Sequence, residues 1–447
     1  MVDALCAAGR IRSPAVERAF RAVPRHLFLP TFPLTEAYAD EAVPTRFADG
    51  AATSSASQPS MMAIMLEQLE LRPGQRVLEV GAGTGYNAAL MATIVGGDGA
   101  VTAVDIDQDL VDSAAEHLAA AAAHLAAVGS AQVQLACGDG ALGHADGAPY
   151  DRIVLTVGSD DVRPEWVSQL APGGRLLLPL AVRGSQLSVA LDLGQDGVLR
   201  SDSVQSCMFI RLRGIGSGST GRLPLADTGL VVEVPPDSTA VDTQRLSAAL
   251  AEPGRPVQPP FALRQVDIWD GFGLWLALTE PRAFRLVSLP KPAEPEDGPG
   301  EEEILADGSE VREGGSAWFG ARIGGRIGAR MGSGRREIVR EATDLADELL
   351  QVGPTFATVA LTTPQGPPGL AAVVQRGDGP QTIRPFGPAG VDLAAVLVGS
   401  MQAWAAVGRP GAPDWRITVV PGEPTVTSGP GVVVKRHGSV LAELRGR

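Results

Sequence analysis

Short apolar runs alternate with longer segments of helical pattern through residues 76–193. The apolar runs predict strands at 76–80, 100–105, 133–137, 152–157, 175–180 and 187–193. The longer patterns predict helices at 14–29 with an end near Pro24, and at 59–70, 86–95 and 109–128. Strands that are apolar throughout and alternate with helices are typical of a parallel sheet covered on both faces. This part of the chain is therefore expected to have an α/β fold with a mostly parallel sheet.

The composition of the chain changes near residues 215–221, which read IGSGSTG. Beyond that point, strand-like runs lie at 229–234, 274–278, 357–361, 371–375, 416–420 and 431–434. Helical patterns are interspersed with them at 241–251, 336–351 and 391–406. A chain of 447 residues also exceeds what one hydrophobic core usually organises. We therefore expect a first domain at 1–215 and a second, α+β domain at 216–447.

Residues 290–316 are acidic and rich in Pro and Gly. Such a segment cannot bury enough apolar surface to offset its ordering entropy, so we expect a mobile loop. The Gly/Arg stretch 321–336 follows it, and two interpretations of that stretch stay open. It is either a flexible surface loop with solvated charges or an arm that holds an acidic peptide.

A formal charge of −14 argues against a general nucleic-acid binder, because neutralising phosphates requires a clustered Lys/Arg surface. The cysteines, Cys6, Cys137 and Cys207, form no CxxC pair, which favours a reducing cytoplasm and no structural zinc. The five histidines show no HxxxH spacing, so no metal is expected. No apolar run approaches the roughly 20 residues that span a bilayer. The expected protein is soluble and cytoplasmic, with neither membrane nor nucleic acid as a partner.

The segment 77–90, VLEVGAGTGYNAAL, joins a predicted strand to a predicted helix through a glycine-rich turn. Gly81, Gly83 and Gly85 leave the backbone open to a ligand, since no side chain obstructs its approach. The helix that begins near Tyr86 directs free N–H groups at the same place. A nucleotide-type cofactor is therefore expected at the carboxyl end of the first strand. Because Tyr86 replaces the third glycine of GxGxxG, a dinucleotide is not expected.

The pattern ExGxGxG, which begins at Glu79, resembles the first motif of class I S-adenosylmethionine-dependent methyltransferases. In that family the turn lies beside the methionine part of the cofactor, and the acid at the place of Glu79 orients it. The resemblance also implies that Asp105 accepts from the ribose hydroxyls and Asp139 from the adenine amino group. The residues that follow them, Ile106 and Gly140, are expected to contact the cofactor as well. Taken alone, each acid could equally be a turn or cap residue.

Further blocks of sequence resemble the protein-L-isoaspartate O-methyltransferase family and follow its order, at 16–30, 37–44, 53–62, 138–140, 149–157 and 172–180. The resemblance implies a Rossmann-like class I fold for residues 1–215. It implies S-adenosylmethionine as cofactor, S-adenosylhomocysteine as product, and a peptide or protein substrate with an aspartyl or isoaspartyl carboxylate. It also implies that the ester closes to a succinimide, which hydrolyses to aspartyl or isoaspartyl products.

In that family a Thr-Ile-Ser-Gln-Pro segment covers the reactive methyl group, and its serine is the active-site residue. The matching segment here is Ser55, Ala56, Ser57, Gln58 and Pro59. The resemblance therefore implies that Ser57 is catalytic and that Ser55, Ala56 and Ser57 lie against the cofactor. Gln58, Val157 and Gly158 are expected to contact the substrate. By itself, a serine just before a helix proline is more often an N-cap than a catalyst.

The chemistry needs no strong base. A side-chain carboxylate is already ionised at neutral pH, so it can attack a sulfonium methyl group directly. The enzyme then has to bring the two partners together at the correct angle and exclude water. The Ser57 hydroxyl would orient the carboxylate without neutralising it, whereas a lysine would weaken it as a nucleophile.

The chain departs from the family at 156–166, TVGSDDVRPEW, where an alanine-rich turn is common, and in its long C-terminal extension. Similar extensions occur in family members that methylate one aspartate of a precursor peptide in ribosomal peptide natural-product pathways. The extension is therefore expected to hold the substrate or a partner. Three functions stay open: a dedicated peptide modifier that leads to aspartimide or isoaspartate, a general isoaspartyl repair enzyme, and a non-catalytic binding module.

Overall fold

The computed structural model describes residues 1–48, 51–218, 222–225, 230–233, 241–288, 349–352, 355–363, 366–376, 379–422 and 430–445. Outside these ranges lie the acidic segment 290–316, the Gly/Arg stretch 321–336 and most of the helix predicted at 336–351. The last two residues of that predicted helix, Leu350 and Gln351, lie in a strand instead. Of the helices within them, none is both long enough and apolar enough to cross a lipid bilayer.

The first half of the chain contains two small hairpin strands and a larger sheet with its helices. Its strands are β1 Val43–Ala48, β2 Ala51–Ala56, β3 Arg76–Val80, β4 Ala100–Asp105, β5 Val133–Cys137, β6 Tyr150–Leu155, β7 Leu170–Val182, β8 Ser185–Leu193 and β9 Leu199–Ser206. Its helices are α1 Val2–Ala7, α2 Pro14–Ala22, α3 Leu34–Ala37, α4 Pro59–Leu69, α5 Tyr86–Val95, α6 Gln108–Ala127 and α7 Pro164–Gln169. The helix predicted at 14–29 ends at Ala22, just before Pro24, and a short 3-10 helix follows at Arg25–Phe28.

Strands β5, β4, β3, β6 and β7 are neighbours in that order, and every pair among them is parallel. Apolar residues of α2, α4 and α5 form one buried cluster with Val77 and Val101. Leu78 and Ile153 belong to a second buried cluster. This alternation of strand residues between two cores confirms the α/β fold expected from continuous apolar strands.

Strand β8 was expected in the parallel sheet, but it pairs antiparallel with β7. Only Arg183 and Gly184 connect the two strands, and both have positive φ values, 49° and 80°. A two-residue turn of this kind closes a hairpin, whereas a parallel crossover needs a dozen or more residues. Strand β9 then pairs antiparallel with β8, so the sheet is mixed.

The extension contains a second, antiparallel sheet with helices. Its strands are β10 Arg222–Leu225, β11 Leu230–Glu233, β12 Ala283–Ser288, β13 Leu350–Val352, β14 Thr355–Thr362, β15 Leu370–Val374 and β16 Thr382–Phe386. Its helices are α8 Thr243–Leu250, α9 Gln265–Trp269, α10 Gly271–Thr279 and α11 Gly390–Ala406. Leu246 of α8 and Leu397 of α11 belong to different buried clusters, each of which contains residues of this sheet. The expected α+β organisation is confirmed.

The prediction of a strand at 274–278 is wrong, because these residues lie in helix α10. Most of the helix is buried, including Leu274 and Leu276, so its sequence is apolar all round. A short, wholly apolar run does not distinguish a buried strand from a buried helix by periodicity.

The last strands return to the first sheet. They are β17 Trp415–Pro421, β18 Val432–Lys435 and β19 Gly438–Leu444, and β17 pairs with β9. Within the described residues the first sheet therefore has ten strands, in the order β18-β19-β17-β9-β8-β7-β6-β3-β4-β5. The domain boundary at 215/216 remains a prediction, and the sheet adds that strands β17, β18 and β19 belong to the sheet of the first domain.

Candidate active site

The glycine-rich turn lies at the carboxyl end of β3, between β4 and β6. Gly81, Gly83 and Gly85 have φ values of +100°, +51° and +82°, which side chains rarely tolerate. A Cβ atom on Gly81 would lie 2.8 Å from Thr156 Oγ1 and 2.9 Å from Val157 Cγ1. Both the backbone conformation and the space therefore require glycine at position 81.

Asp105 ends strand β4 and is tied to the turn. The amide of Gly83 donates to Asp105 Oδ2 at 3.0 Å, and the amide of Asp107 donates to Oδ1 at 3.4 Å. Each carboxylate oxygen has a further lone pair, so Asp105 can still accept from a ligand. Ile106, which follows it, lines a cavity beside the glycine turn.

Glu79 lies at the floor of the site and is fully buried. Its Oε1 accepts from the Asn87 amide at 2.8 Å, while Oε2 has no hydrogen-bond partner among the described residues. Burial raises the pKa of the Glu79 carboxyl to about 8, and the charge of Asp105 adds to this, while the Asn87 hydrogen bond counteracts part of it. A buried acceptor without a donor suits a cationic group of a ligand.

One cavity of about 740 Å³ joins the glycine turn to two other parts of the chain. These are the β1–β2 hairpin with the residues that follow it, and the segment 206–213, which begins at the last residue of β9 and which we call the exit segment. Three buried polar atoms that have no hydrogen-bond partner in the described part of the chain belong to residues that line it: Thr53 Oγ1, Glu79 Oε2 and Tyr86 Oη. Unsatisfied polar atoms around a cavity indicate that it is built for a polar ligand.

Ser57 lines this cavity just after β2. Its side chain is half-buried, and no described residue forms a hydrogen bond with its hydroxyl. The N-cap of α4 is Gln58, which makes no side-chain cap bond, so Ser57 does not cap the helix. The hydroxyl is therefore available to a ligand in the cavity.

Arg25 was not predicted as a site residue, although it lies in one of the resembling blocks. It is fully buried and lines the cavity. Its Nη2 donates to the carbonyl of Ser57 at 3.0 Å and its Nε to the carbonyl of Ala37 at 2.8 Å, while its guanidinium lies 5.2 Å from the centre of the Tyr86 ring. Burial lowers the pKa of Arg25. Arg25 thus fixes the backbone at Ser57.

Most of the predicted site residues line the cavity: Ser55, Ala56, Ser57, Gln58, Glu79, Gly81, Gly83, Asp105, Ile106, Gly140 and Val157. Three do not. Gly85 packs against Ala114, Asp139 accepts from the amides of Ala141 and Ile215, and Gly158 bonds the exit segment through its backbone. These three residues shape the site from behind its wall.

The exit segment gave no recognisable signal in the sequence. In the structure, Arg213 donates to Asp107 Oδ2 at 2.5 Å, and Arg46 of strand β1 forms an ion pair with the same oxygen at 2.9 Å. The Arg213 guanidinium lowers the pKa of the Asp107 carboxyl below its usual range. One carboxylate thus connects the β1–β2 hairpin to the exit segment.

The part of the chain that the structure describes contains no group of three or more His, Cys, Asp or Glu side chains placed to hold a metal ion.

The profile of the family described as Protein-L-isoaspartate(D-aspartate) O-methyltransferase (PCMT) matches residues 1–216. The protein-L-isoaspartate O-methyltransferase of Methanopyrus kandleri is 37% identical over 214 residues, which are 48% of this chain and 90% of that protein. A solved protein-L-isoaspartate O-methyltransferase has a TM-score of 0.46 and 20% identity, over 99% of this chain and 98% of that chain. A beta-aspartate methyltransferase (PCMT) from Plasmodium falciparum, in complex with S-adenosyl-L-homocysteine, has a TM-score of 0.41 and 20% identity, over 47% of this chain and 96% of that chain. The segment matched by the family profile includes every residue that lines the cavity.

Proposed function

This chain belongs to the protein-L-isoaspartate O-methyltransferase family of S-adenosylmethionine-dependent enzymes, and from that premise we propose that it is a general repair enzyme. It would methylate the side-chain carboxylate of isoaspartyl residues in peptides and proteins of varied sequence. The observation that carries the proposal is that one cavity is lined both by the glycine turn with Glu79 and by Ser57.

The residues around the turn fit the cofactor. Glu79 Oε2 is a buried acceptor without a donor, which suits the ammonium group of the methionine part. Gly81 and Gly83 keep the backbone open beside it, and Asp105 can accept from ribose hydroxyls. When bound, S-adenosylmethionine supplies the methyl group as an electrophile on a sulfonium centre.

The chain's own residues then orient the nucleophile. The substrate carboxylate is ionised at neutral pH and needs no base. Ser57 presents a hydroxyl that can donate one hydrogen bond to it, and Arg25 fixes the Ser57 backbone from behind. Because Arg25 is fully buried and bonds to carbonyl groups, it holds the serine in place without pairing with the carboxylate.

General repair is favoured by the composition of the cavity wall. All the residues that line the cavity lie between Arg25 and Arg213, within the part shared with the family. The described residues of the extension contribute none of the wall. A site built from the shared part suits the shared substrate, an isoaspartyl residue.

A second function is favoured by the extension itself. The Methanopyrus kandleri relative matches only 48% of this chain. The added residues would be explained if the enzyme methylated one aspartate of a dedicated precursor peptide and so led to an aspartimide. The acidic and Gly/Arg segments that would hold such a peptide lie outside the described residues.

The deciding experiment supplies radiolabelled S-adenosylmethionine and pairs of peptides in several unrelated sequences. The two peptides of a pair differ only in one linkage, which is isoaspartyl in one and aspartyl in the other. General repair predicts rapid labelling of the isoaspartyl peptide in several unrelated sequences and little labelling of the aspartyl peptide. A dedicated modifier would leave both peptides unlabelled or would accept aspartate in one sequence context, and this result would exclude general repair.

A further inference from the structure

The loop between β6 and α7 forms part of the cavity wall through Thr156 and Val157. Its next residues are anchored to neighbouring elements. The amide of Gly158 donates to Ile210 of the exit segment, and that of Ser159 to Pro179 of β7, both at 2.8 Å. The position of the wall therefore depends on what holds residues 156–161.

The extension forms hydrogen bonds with this loop through His437, which lies in the turn between β18 and β19. Its amide donates to Asp161 Oδ2 at 2.9 Å, and its Nδ1 lies 2.8 Å from the same oxygen. Because an ionised carboxylate only accepts, the ring nitrogen donates in this contact. The other oxygen, Oδ1, accepts from the Val162 amide at 2.8 Å, so both oxygens of Asp161 are engaged.

Asp161 in turn bonds back into the loop. Ser159 Oγ donates to the carbonyl of Asp161 at 2.7 Å, and the amide of Asp161 donates to Ser159 Oγ at 3.3 Å. Ser159 itself exchanges backbone hydrogen bonds with β7, as its carbonyl accepts from Ala181. A displacement of Asp161 would therefore be transmitted to the residues beside Val157.

The β18–β19 hairpin that carries His437 is firmly attached to the first domain. Val433 and Val440 lie in the same buried cluster as Leu180 of β7. Lys435 Nζ donates to the carbonyl of Ala181 at 2.7 Å. The hairpin is thus a rigid support against which the loop is held.

We propose that His437 and Asp161 are positioning residues, through which the extension holds the cavity wall at Thr156 and Val157 in the geometry that binds the substrate. The inference rests on the proposed function, since it assigns the extension a role in that same site. The described residues of the extension contribute none of the cavity wall, yet the extension contacts a loop that forms part of this wall. The proposed role of His437 and Asp161 accounts for both observations.

The test compares His437→Ala, His437→Asn and Asp161→Ala in the full-length chain. Asparagine keeps an amide donor close to the place of Nδ1, so it serves as the conservative variant. Arg445→Ala is the matched control, because Arg445 follows the other end of β19 and bonds the carbonyls of Trp415 and Asp202. The measurements are kcat and KM for an isoaspartyl peptide, the affinity for S-adenosylhomocysteine, and hydrogen exchange of the Gly158 and Ser159 amides.

We expect His437→Ala to raise the KM for the peptide about tenfold, since small misplacements of a binding wall are costly. The KM of His437→Asn should lie close to that of wild type, and the KM of Asp161→Ala should rise more than that of His437→Ala. The affinity for S-adenosylhomocysteine should not change in any of these variants. The Gly158 and Ser159 amides should exchange faster in His437→Ala than in wild type or Arg445→Ala. An equal KM rise in Arg445→Ala, or unchanged exchange in His437→Ala, would overturn the inference. Because exchange needs no turnover, this readout separates failure of the inference from failure of the proposed function.

Discussion

Glu79 and Asn87 are joined by one hydrogen bond of 2.8 Å that links strand β3 to helix α5 across the glycine turn. The bond occupies only one oxygen of a carboxylate that is fully buried, and the other oxygen has no partner among the described residues. Such a group holds its proton more strongly than an exposed carboxyl does. The charge state of Glu79 should therefore depend on whether a cation lies beside it.

Cofactor binding is expected to release a proton from Glu79. Without a cation nearby the pKa of Glu79 is about 8, so the group is mostly protonated at pH 6.5. An ammonium group placed against Oε2 favours the ionised form and lowers that pKa. Calorimetric titration with S-adenosylhomocysteine in buffers of different ionisation enthalpy should show about one proton released at pH 6.5. Glu79→Gln, which cannot ionise, should bind more weakly and release none, and equal proton release from that variant would contradict the assignment.

The stability of the cofactor-free protein should also depend on pH through Glu79. Its pKa is raised on folding from 4.5 to about 8, so its contribution is complete below the unfolded pKa and is lost as pH rises through 8. Between pH 4 and pH 9 the loss is on the order of a few kcal/mol, at about 1.4 kcal/mol per unit. Urea unfolding of wild type and Glu79→Gln gives the free energy of unfolding at each pH over this range. The two plots of this free energy against pH should diverge above pH 5, because wild type loses more stability than the variant. Parallel curves would mean that Glu79 stays ionised in the folded state.

Replacement of Ser57 by alanine should lower kcat for an isoaspartyl peptide about a hundredfold, because an oriented donor at the reacting group is lost. The affinity for S-adenosylhomocysteine should stay unchanged, since the glycine turn and Glu79 are untouched. Ser168→Ala is the matched control, because Ser168 is exposed on helix α7 and bonds only the carbonyl of Glu165. Wild-type turnover in Ser57→Ala would remove this residue from the mechanism.

The cofactor side of the site could be predicted from sequence because its residues are close along the chain. Glu79 and the glycines belong to one strand, turn and helix, and Asp105 ends the adjacent parallel strand. A parallel strand order places such residues at one edge of the sheet. Ser57 was predicted only through the family resemblance, since its local sequence reads equally as a helix cap.

The remainder of the site depends on pairings between distant segments, which no local pattern reveals. Arg25 bonds the backbone of Ser57, and Arg213 bonds Asp107 across 106 positions. The contact of His437 with Asp161 spans 276 positions. Hydrophobic periodicity reports which face of an element is buried and not which distant segment covers it.

The glycines of the turn should differ in what alanine does to them. In Gly81→Ala the new Cβ meets Thr156 Oγ1 and Val157 Cγ1 at less than 3 Å, so we expect both a loss of about 2 to 4 kcal/mol in stability and a loss of cofactor binding. In Gly83→Ala the nearest atoms lie 3.8 and 3.9 Å away, so only the strain of the positive φ, about 1 kcal/mol, should affect stability. The affinity of Gly83→Ala for S-adenosylhomocysteine should nevertheless fall, because Gly83 lines the cavity and the added methyl group takes up space beside the ligand.

Gly173→Ala serves as the control for both, since Gly173 has a φ of +72° and no atom within 4 Å of the added Cβ. It should show the same strain with unchanged affinity for S-adenosylhomocysteine. Thermal unfolding of the three variants measures the cost of backbone strain in stability, and calorimetry measures whether the added methyl group obstructs binding of S-adenosylhomocysteine. If Gly83→Ala binds the cofactor product as well as Gly173→Ala does, the cofactor does not approach the turn at Gly83.

Asp107 should control how long the cofactor stays bound. Arg46 of the hairpin and Arg213 of the exit segment both pair with it, so Asp107→Asn would loosen two segments that cover the cavity. These partly exposed ion pairs are each worth up to about 1 kcal/mol, so S-adenosylhomocysteine should dissociate about two to five times faster from the variant at low salt. The difference between the two dissociation rates should shrink as salt screens the wild-type contacts.

Asp109→Asn is the control, because among the described residues Asp109 forms an ion pair with Arg46 and with no residue of the exit segment. A smaller increase of the dissociation rate in Asp109→Asn would show that joining the hairpin to the exit segment retains the cofactor. Equal dissociation rates for wild type and Asp107→Asn at low salt would mean that these segments do not limit cofactor release.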